Sequence, residues 1–242
     1  MLSAIIPAYN EERTVAKVVN VVLKSKVFSE VICVNDGSTD KTLKILKGFG
    51  NKIKIINLPK NKGKAGAIAE AVKRSRGEIV VFLDADLVGL KKKDLVNIVR
   101  GLVNKKYDCI LASTNAPELV NTAVSIATFS PFKKDFDALT GQRAFYKKDL
   151  LPLLKDIESI GYGLEVYLND AFRNKNVGLV KLSGVTHLLK PQKSTRQWYG
   201  GMWVDLYKQV GDIGKELLKQ KVRPAKEFAT KVQRHIPKIS AT

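Results

Sequence analysis

The chain has 242 residues, the size of one α/β domain with a small appendage, and is 45% hydrophobic and 27% charged, enough to bury one substantial core. Its 42 Lys+Arg against 23 Asp+Glu leave a net charge of +19, a surplus that suits nucleic acid, an acidic membrane surface or a phosphorylated small molecule. No apolar run reaches the ~18–20 residues of a membrane span, the N-terminus has no leader pattern, and Cys33 and Cys109 are too few for a disulfide framework or a zinc cluster.

Both cysteines lie in apolar, strand-like runs, so buried reduced thiols in a cytoplasmic protein are expected. In chain order, LSAIIPAY is a short apolar run. EERTVAKVVNVVLKS follows with Val15, Val18, Val19 and Val22 at helical spacing. VICVND reads as a strand, STDKTLKILKGFG as a helix capped at Ser38 or Thr39 with a glycine stop, and KIKIINLP as a strand. GKAGAIAEAVKRSRG is helical, EIVVFLDAD is an apolar strand ending in acids, and KKDLVNIVRGLVNK is a helix before the strand YDCILAS. Such alternation implies βαβ units, a mostly parallel sheet, and a ligand site beyond the carboxyl ends of the strands.

Between about residues 112 and 140 the pattern is irregular, and it returns with TGQRAFYKKDLLPLLK, read as opening a helix. GYGLEVYLNDAFRNKN reads as a further helix, and VGLVKLSGVTH as a strand that His187 ends. The last 50 or so residues are strongly basic, in two helix-like stretches broken at Pro224. The expected organisation is one α/β domain over 1–190 in two halves (1–110 and 111–190), then a basic loop and helical tail over 191–242.

Three polar clusters close three of the early strands: Pro7 to Glu12, Asn35 to Asp40, and Asp84-Ala85-Asp86. A parallel sheet puts all three on one rim. Two carboxylates spaced i, i+2 in a turn can aim at one hard cation and its anionic ligand, so Asp84 and Asp86 point to Mg²⁺ or Mn²⁺ bound through a diphosphate. Asp also favours turns for its own reasons; three clusters in register outweigh that explanation.

The ordered set P-A-Y-N-E (7–11), V-N-D-G-S-T-D (34–40), N-x-G-K-x-G-A (61–67) and D-A-D (84–86) resembles the nucleotide-sugar half of family 2 glycosyltransferases. Polyprenyl-phosphate sugar synthases and glucosyl-3-phosphoglycerate synthases are close in appearance. The resemblance implies the GT-A fold, a Rossmann-like, mostly parallel sheet flanked by helices. It implies a nucleobase held by Asp36 over a floor of Pro7, Ala8, Tyr9 and Glu11, and Asp84 and Ala85 against ribose or sugar, or Asp84 on a metal-bound water. Asp86 would bind the metal, and Lys64, near a helix N-terminus, would meet the diphosphate; the alternative for Lys64 is one more surface lysine.

In the second half, the resemblance places Gly141, Gln142 and Arg143 against sugar, donor or acceptor. Arg143 touches a phosphate or else pairs with a helix-end carboxylate. Glu165 is the first candidate for a catalytic carboxylate, Asp170 the second, with Asp84 beside them. His187 would complete the metal site, since neutral imidazole suits Mn²⁺ beside carboxylate oxygens. Lys193 and Arg196 would fold over the diphosphate; a solvated linker is the alternative.

The resulting reading is a metal-dependent hexosyltransferase taking a sugar from UDP-glucose, or secondly GDP-mannose, to an anionic, phosphorylated acceptor. A polyprenyl-phosphate sugar synthase docking on membranes through its tail is the second reading. A nucleic-acid-binding protein is the remote third, because aromatics are only 7% of the chain and do not interleave with the cations.

Overall fold

The computed structural model describes residues 1–114, 140–160 and 163–188, so the expected tail, with Lys193 and Arg196, lies outside the described residues. The first half runs β1 (Leu2–Ala8), α1 (Val15–Ser25), β2 (Glu30–Asp36), α2 (Thr42–Lys47), β3 (Lys54–Leu58), α3 (Gly63–Arg74) and β4 (Ile79–Phe82). There follow a short β5 (Leu87–Val88), α4 (Lys92–Val103), β6 (Cys109–Ser113) and β7 (Arg143–Tyr146). The described remainder is α5 (Lys147–Leu150), α6 (Leu154–Ser159), α7 (Leu164–Ala171), β8 (Val177–Lys181) and β9 (Thr186–His187).

Seven strands form one sheet in the order β3-β2-β1-β4-β7-β6-β8. All pairings are parallel except those of β7, which runs antiparallel between β4 and β6. The expectation of a helix from Thr140 is corrected here. Arg143–Tyr146 is a fully paired strand, and the helix begins only at Lys147. The strand of His187 is also corrected. β8 stops at Lys181, and His187 belongs to β9, which pairs antiparallel with β5 in a separate ribbon, Leu87 opposite His187.

Each face of the sheet is covered by helices because each helix has one apolar stripe. Val15, Val18, Val19 and Val22 of α1 are all buried, and with Leu46 of α2 and Leu95, Ile98 and Leu102 of α4 they cover one face. Ile68 and Val72 of α3, Ile157 of α6 and Leu164 and Leu168 of α7 cover the other. Full burial of such a side chain is worth ~1.5–3 kcal/mol. Phe145 on β7 ties the second face together, its ring centroid 5.5 Å from Phe82 and 4.8 Å from Phe172. Burial pushes the Cys33 and Cys109 thiols up to about 12, so both are inert thiols in the core at neutral pH.

Helix α2 starts at Thr42, later than Ser38 or Thr39, because the preceding residues are spent elsewhere. Ser38 Oγ accepts the Asn10 N–H at 3.0 Å, and Asn10 Oδ1 accepts the Thr39 N–H at 2.8 Å. Asp40 Oδ1 then accepts the Thr42 N–H at 2.9 Å and opens the helix. The turns after β1 and β2 are thereby clamped to each other, which fixes one side of the rim.

Candidate active site

The clamped turns place the first two clusters. Pro7 and Ala8 end β1 and Tyr9 stands exposed beyond them. The Glu11 N–H donates to Thr42 Oγ1 at 2.8 Å, and its carboxylate accepts from Thr14 Oγ1 at 3.0 Å. Asp36 ends β2, buried, with Oδ1 accepting the Lys62 N–H at 2.7 Å. Burial holds its carboxyl above the ordinary value although the Lys62 and Gly63 N–H groups pull it down. Gly37 makes this contact possible: its φ is +68°, and a Cβ there would lie 2.6 Å from Asn61 N and 2.7 Å from Lys60 C.

The third cluster is the centre of the site. Lys64, in the first turn of α3, sets its Nζ 2.7 Å from Asp84 Oδ1 and 3.0 Å from Glu165 Oε1. Glu165 lies in the first turn of α7, where the helix dipole favours an acid. Gln142 Nε2 donates to the other Asp84 oxygen at 2.6 Å. Its own Oε1 is 2.8 Å from Thr140 Oγ1, whose single proton is shared with the Ala112 carbonyl at 2.5 Å. Asp84 is thus gripped on both oxygens. Burial pushes its carboxyl up, but Lys64 and His187 outweigh burial and hold it below the ordinary value. Burial pushes Lys64 down, and Asp84 and Glu165 outweigh it, so the ammonium stays fully protonated. Gly141 packs against the pair so closely that a Cβ would sit 2.3 Å from both Asp84 Oδ2 and Lys64 Nζ.

Two residues on from Asp84, across the buried Ala85, Asp86 Oδ1 lies 2.9 Å from His187 Nδ1. The β5–β9 ribbon makes this contact: Leu87 pairs with His187 and the Leu188 N–H donates to the Asp86 carbonyl at 3.0 Å. Asp84, Asp86 and His187 each offer a ligand atom, all within 4.8 Å of one another. Two carboxylates and an imidazole fit Mn²⁺ or Mg²⁺ rather than a soft metal. Burial pushes the imidazole down, but the Asp86 hydrogen bond and the two carboxylate charges hold it above its ordinary value.

The site therefore brings together Lys64, Asp84, Ala85, Asp86, Gly141, Gln142, Glu165 and His187, with Asp36 and the Pro7–Glu11 turn on the same rim. It does not bring in Asp170, which is exposed and pairs with Arg173 Nη1 at 3.3 Å. Five helical steps from Glu165 turn a side chain by about 140°. Nor is Arg143 in it. Arg143 is 1% exposed, with Nε donating to the Thr140 carbonyl and Nη1 to Asn169 Oδ1, both at 2.8 Å. It sits beneath the site and ties the 140–142 turn to α7, where either a phosphate contact or a helix-end carboxylate was expected. Gln142 is fully buried and meets the site through its hydrogen bond to Asp84. Asn169 was not anticipated, although it stands at i+4 from Glu165 on the same helix face, a spacing visible in the sequence.

Residues 3–172 match the model of glycosyl transferase family 2. An uncharacterised glycosyltransferase of Synechocystis is 38% identical over 122 residues, covering 46% of this chain and 37% of that protein. Human dolichyl-phosphate β-glucosyltransferase is 36% identical over 115 residues, covering 42% and 35% respectively. The matched part is thus little more than a third of either relative's length. Among solved structures, glucosyl-3-phosphoglycerate synthase of Mycobacterium tuberculosis, in complex with Mn²⁺, UDP and glucosyl-3-phosphoglycerate, superposes with a TM-score of 0.72 at 22% identity. That match covers 90% of this chain and 78% of the synthase and shows the shared GT-A fold. The chain belongs to glycosyl transferase family 2.

Proposed function

We propose that this glycosyltransferase moves glucose from UDP-glucose to a phosphorylated acceptor, with Mn²⁺ or Mg²⁺ held by Asp86 and His187 beside Asp84. The observation that carries the reading is the convergence of those three ligand groups next to a Lys64 ammonium on the rim where the family motifs meet. The use of UDP, UDP-glucose, Mn²⁺ and phosphoglyceric acid in structures of the mycobacterial synthase supports the choice of ligands.

When bound, the cation would neutralise charge growing on the departing diphosphate. Lys64 adds to this with charge-assisted hydrogen bonds, turning from the two carboxylates toward phosphate oxygens. Asp36 accepts from the base, above the Pro7–Glu11 turn. Glu165 and Asp84 hold the sugar hydroxyls, with Gln142 keeping Asp84 in one orientation. A phosphate acceptor is already ionised and needs no strong base; for a hydroxyl acceptor, Glu165 is the carboxylate placed to take the proton.

A lipid-linked phosphate is the second acceptor, favoured by the 36% identity with the human dolichyl-phosphate enzyme. A thermal-shift panel of UDP, UDP-glucose and GDP-mannose, with and without Mn²⁺, tests the donor: a shift with UDP-glucose and Mn²⁺ together is expected. Radiolabelled transfer to 3-phosphoglycerate or to a polyprenyl phosphate then separates the acceptors. No stabilisation by any uridine ligand would overturn the donor assignment.

A further inference from the structure

The two helical layers carry different charge. The layer of α1, α2 and α4 comprises, with its flanking turns, residues 12–29, 37–53 and 89–108. These stretches expose four, four and six Lys or Arg, and Glu12 is their one exposed acid. The remaining acids of the layer are spent on backbone. Asp40 accepts from the Glu12 and Thr42 N–H groups, Asp94 from the Lys91 N–H, and Asp108 from the Asn176 N–H. Among the described residues none of the fourteen cations forms an ion pair; the ion pairs lie in the site, at the base of the sheet, or on the α3, α6 and α7 side. Lys106 alone has an aromatic neighbour, the adjacent Tyr107 ring at 5.4 Å.

Lys91, Lys92 and Lys93 crowd the start of α4, where cations are unfavourable beside a helix dipole and Asp94 is the one acid of the first turn. Residues 190–242 hold 12 basic and four acidic side chains, a net charge of the same sign as this layer.

We propose that this helical layer is an electrostatic docking surface for an anionic lipid bilayer. Twelve of the fourteen cations are lysines, compact point charges on flexible stems that suit a fluid array of headgroups, where nucleic-acid phosphates favour the arginine fork. The layer exposes no aromatic ring on which a base could stack, and its one exposed large hydrophobe is Val103. Docking is therefore peripheral, without deep insertion, and reversible by salt. Helices of βα units start at the carboxyl ends of the strands, so Arg13, Lys41 and Lys91 stand beside the rim of the active site and would bring that rim to the bilayer surface. The proposal is separate from the donor chemistry, because none of these lysines belongs to the site.

The test is flotation of the whole chain with phosphatidylcholine vesicles, and with vesicles of equal parts phosphatidylcholine and phosphatidylserine, from about 0.1 to about 0.5 M NaCl. Binding to the anionic vesicles alone, lost at high salt, is expected. The triple variant Lys44→Glu, Lys47→Glu, Lys93→Glu should weaken it by ~100-fold or more at low salt. The control triple Lys148→Glu, Lys155→Glu, Lys175→Glu, of equal charge change, should weaken it by less than about tenfold. Unchanged melting temperature and unchanged UDP shift in both variants show that fold and donor site are intact. Equal losses in the two variants, or equal binding to neutral vesicles, would overturn the proposal. So would a DNA duplex that displaces the protein from the vesicles and whose own binding the first variant abolishes.

Discussion

Replacing Gly141 by Ala places a methyl carbon 2.3 Å from Asp84 Oδ2, 2.3 Å from Lys64 Nζ and 2.7 Å from Asp84 Oδ1. Ordinary contact begins at 3.4 Å, so both side chains must retreat by about 1 Å. The atoms in the way are the ends of two side chains, and neither is backbone. The fold can therefore absorb the methyl by rotating them, at ~0.5–1.5 kcal/mol for an off-rotamer angle. Removing a glycine from the unfolded ensemble offsets this by ~0.4–1 kcal/mol. The net stability change is small, about 1 kcal/mol or less. The chemistry has no such latitude, since a misplacement of about 1 Å in a catalytic group costs ~10²-fold in rate. The assay is sugar transfer from UDP-glucose, read as kcat/KM, beside thermal unfolding of the same preparation. A loss of ~10²-fold with an almost unchanged Tm is expected. Full activity, or unfolding as severe as a core truncation, would refute the geometry of the Lys64–Asp84–Gly141 contact.

Gly89 has φ +83°, and a Cβ there would lie 2.2 Å from the Gly184 carbonyl oxygen. Gly89→Ala should therefore part β5 from β9 and weaken Mn²⁺ binding at least tenfold, measured by titration, while the seven-stranded sheet still melts cooperatively. Gln142→Leu leaves one Asp84 oxygen short of a partner, a cost of about 1–3 kcal/mol in urea unfolding, while the Thr140 hydroxyl keeps the Ala112 carbonyl. It should also loosen UDP·Mn²⁺ binding, which Gln142→Asn, too short to reach, would not restore. Glu30 is held by Ser3 Oγ at 2.6 Å and the Arg76 N–H at 2.9 Å. Burial pushes its carboxyl up, and the Arg76 and Ser3 hydrogen bonds, with the Lys54 and Arg76 charges, outweigh burial and hold it below its ordinary 4.5. A carboxyl lowered on folding stabilises the fold above that ordinary value and loses the effect as pH falls through its folded value. Glu30→Gln should thus cost about 1–3 kcal/mol at neutral pH and progressively less in acid, read from urea midpoints across pH.

The first half was legible because its signals are local. Valines at helical spacing define α1 (Val15–Ser25), and apolar runs closed by polar clusters mark β1, β2 and β4 and put Asp36, Asp84 and Asp86 on one rim. The second half was harder because its geometry comes from pairing partners far apart in sequence. Arg143-Ala144-Phe145-Tyr146 has no β-branched residue to mark a strand and becomes one only by lying between β4 and β6. The two-residue β5 and β9 are too short for any periodicity, yet they carry His187 to Asp86. The place of Arg143 was not legible because a buried arginine whose Nε and Nη1 meet the Thr140 carbonyl and Asn169 looks, in sequence, like any exposed one. Asp170 lies away from the site because five helical steps from Glu165 turn its side chain by about 140°, toward Arg173.

The central claim is that Asp86 and His187, beside Asp84, hold a cation serving a uridine diphosphate. Calorimetric titration of Mn²⁺ into the UDP-saturated chain and into its Asp86→Ala variant tests it most directly, with melting curves to show that both are folded. The parent should bind one Mn²⁺ per chain, and the folded variant should bind at least ~100-fold more weakly, as loss of a direct ligand requires. Equal Mn²⁺ affinity in the two proteins would contradict the site.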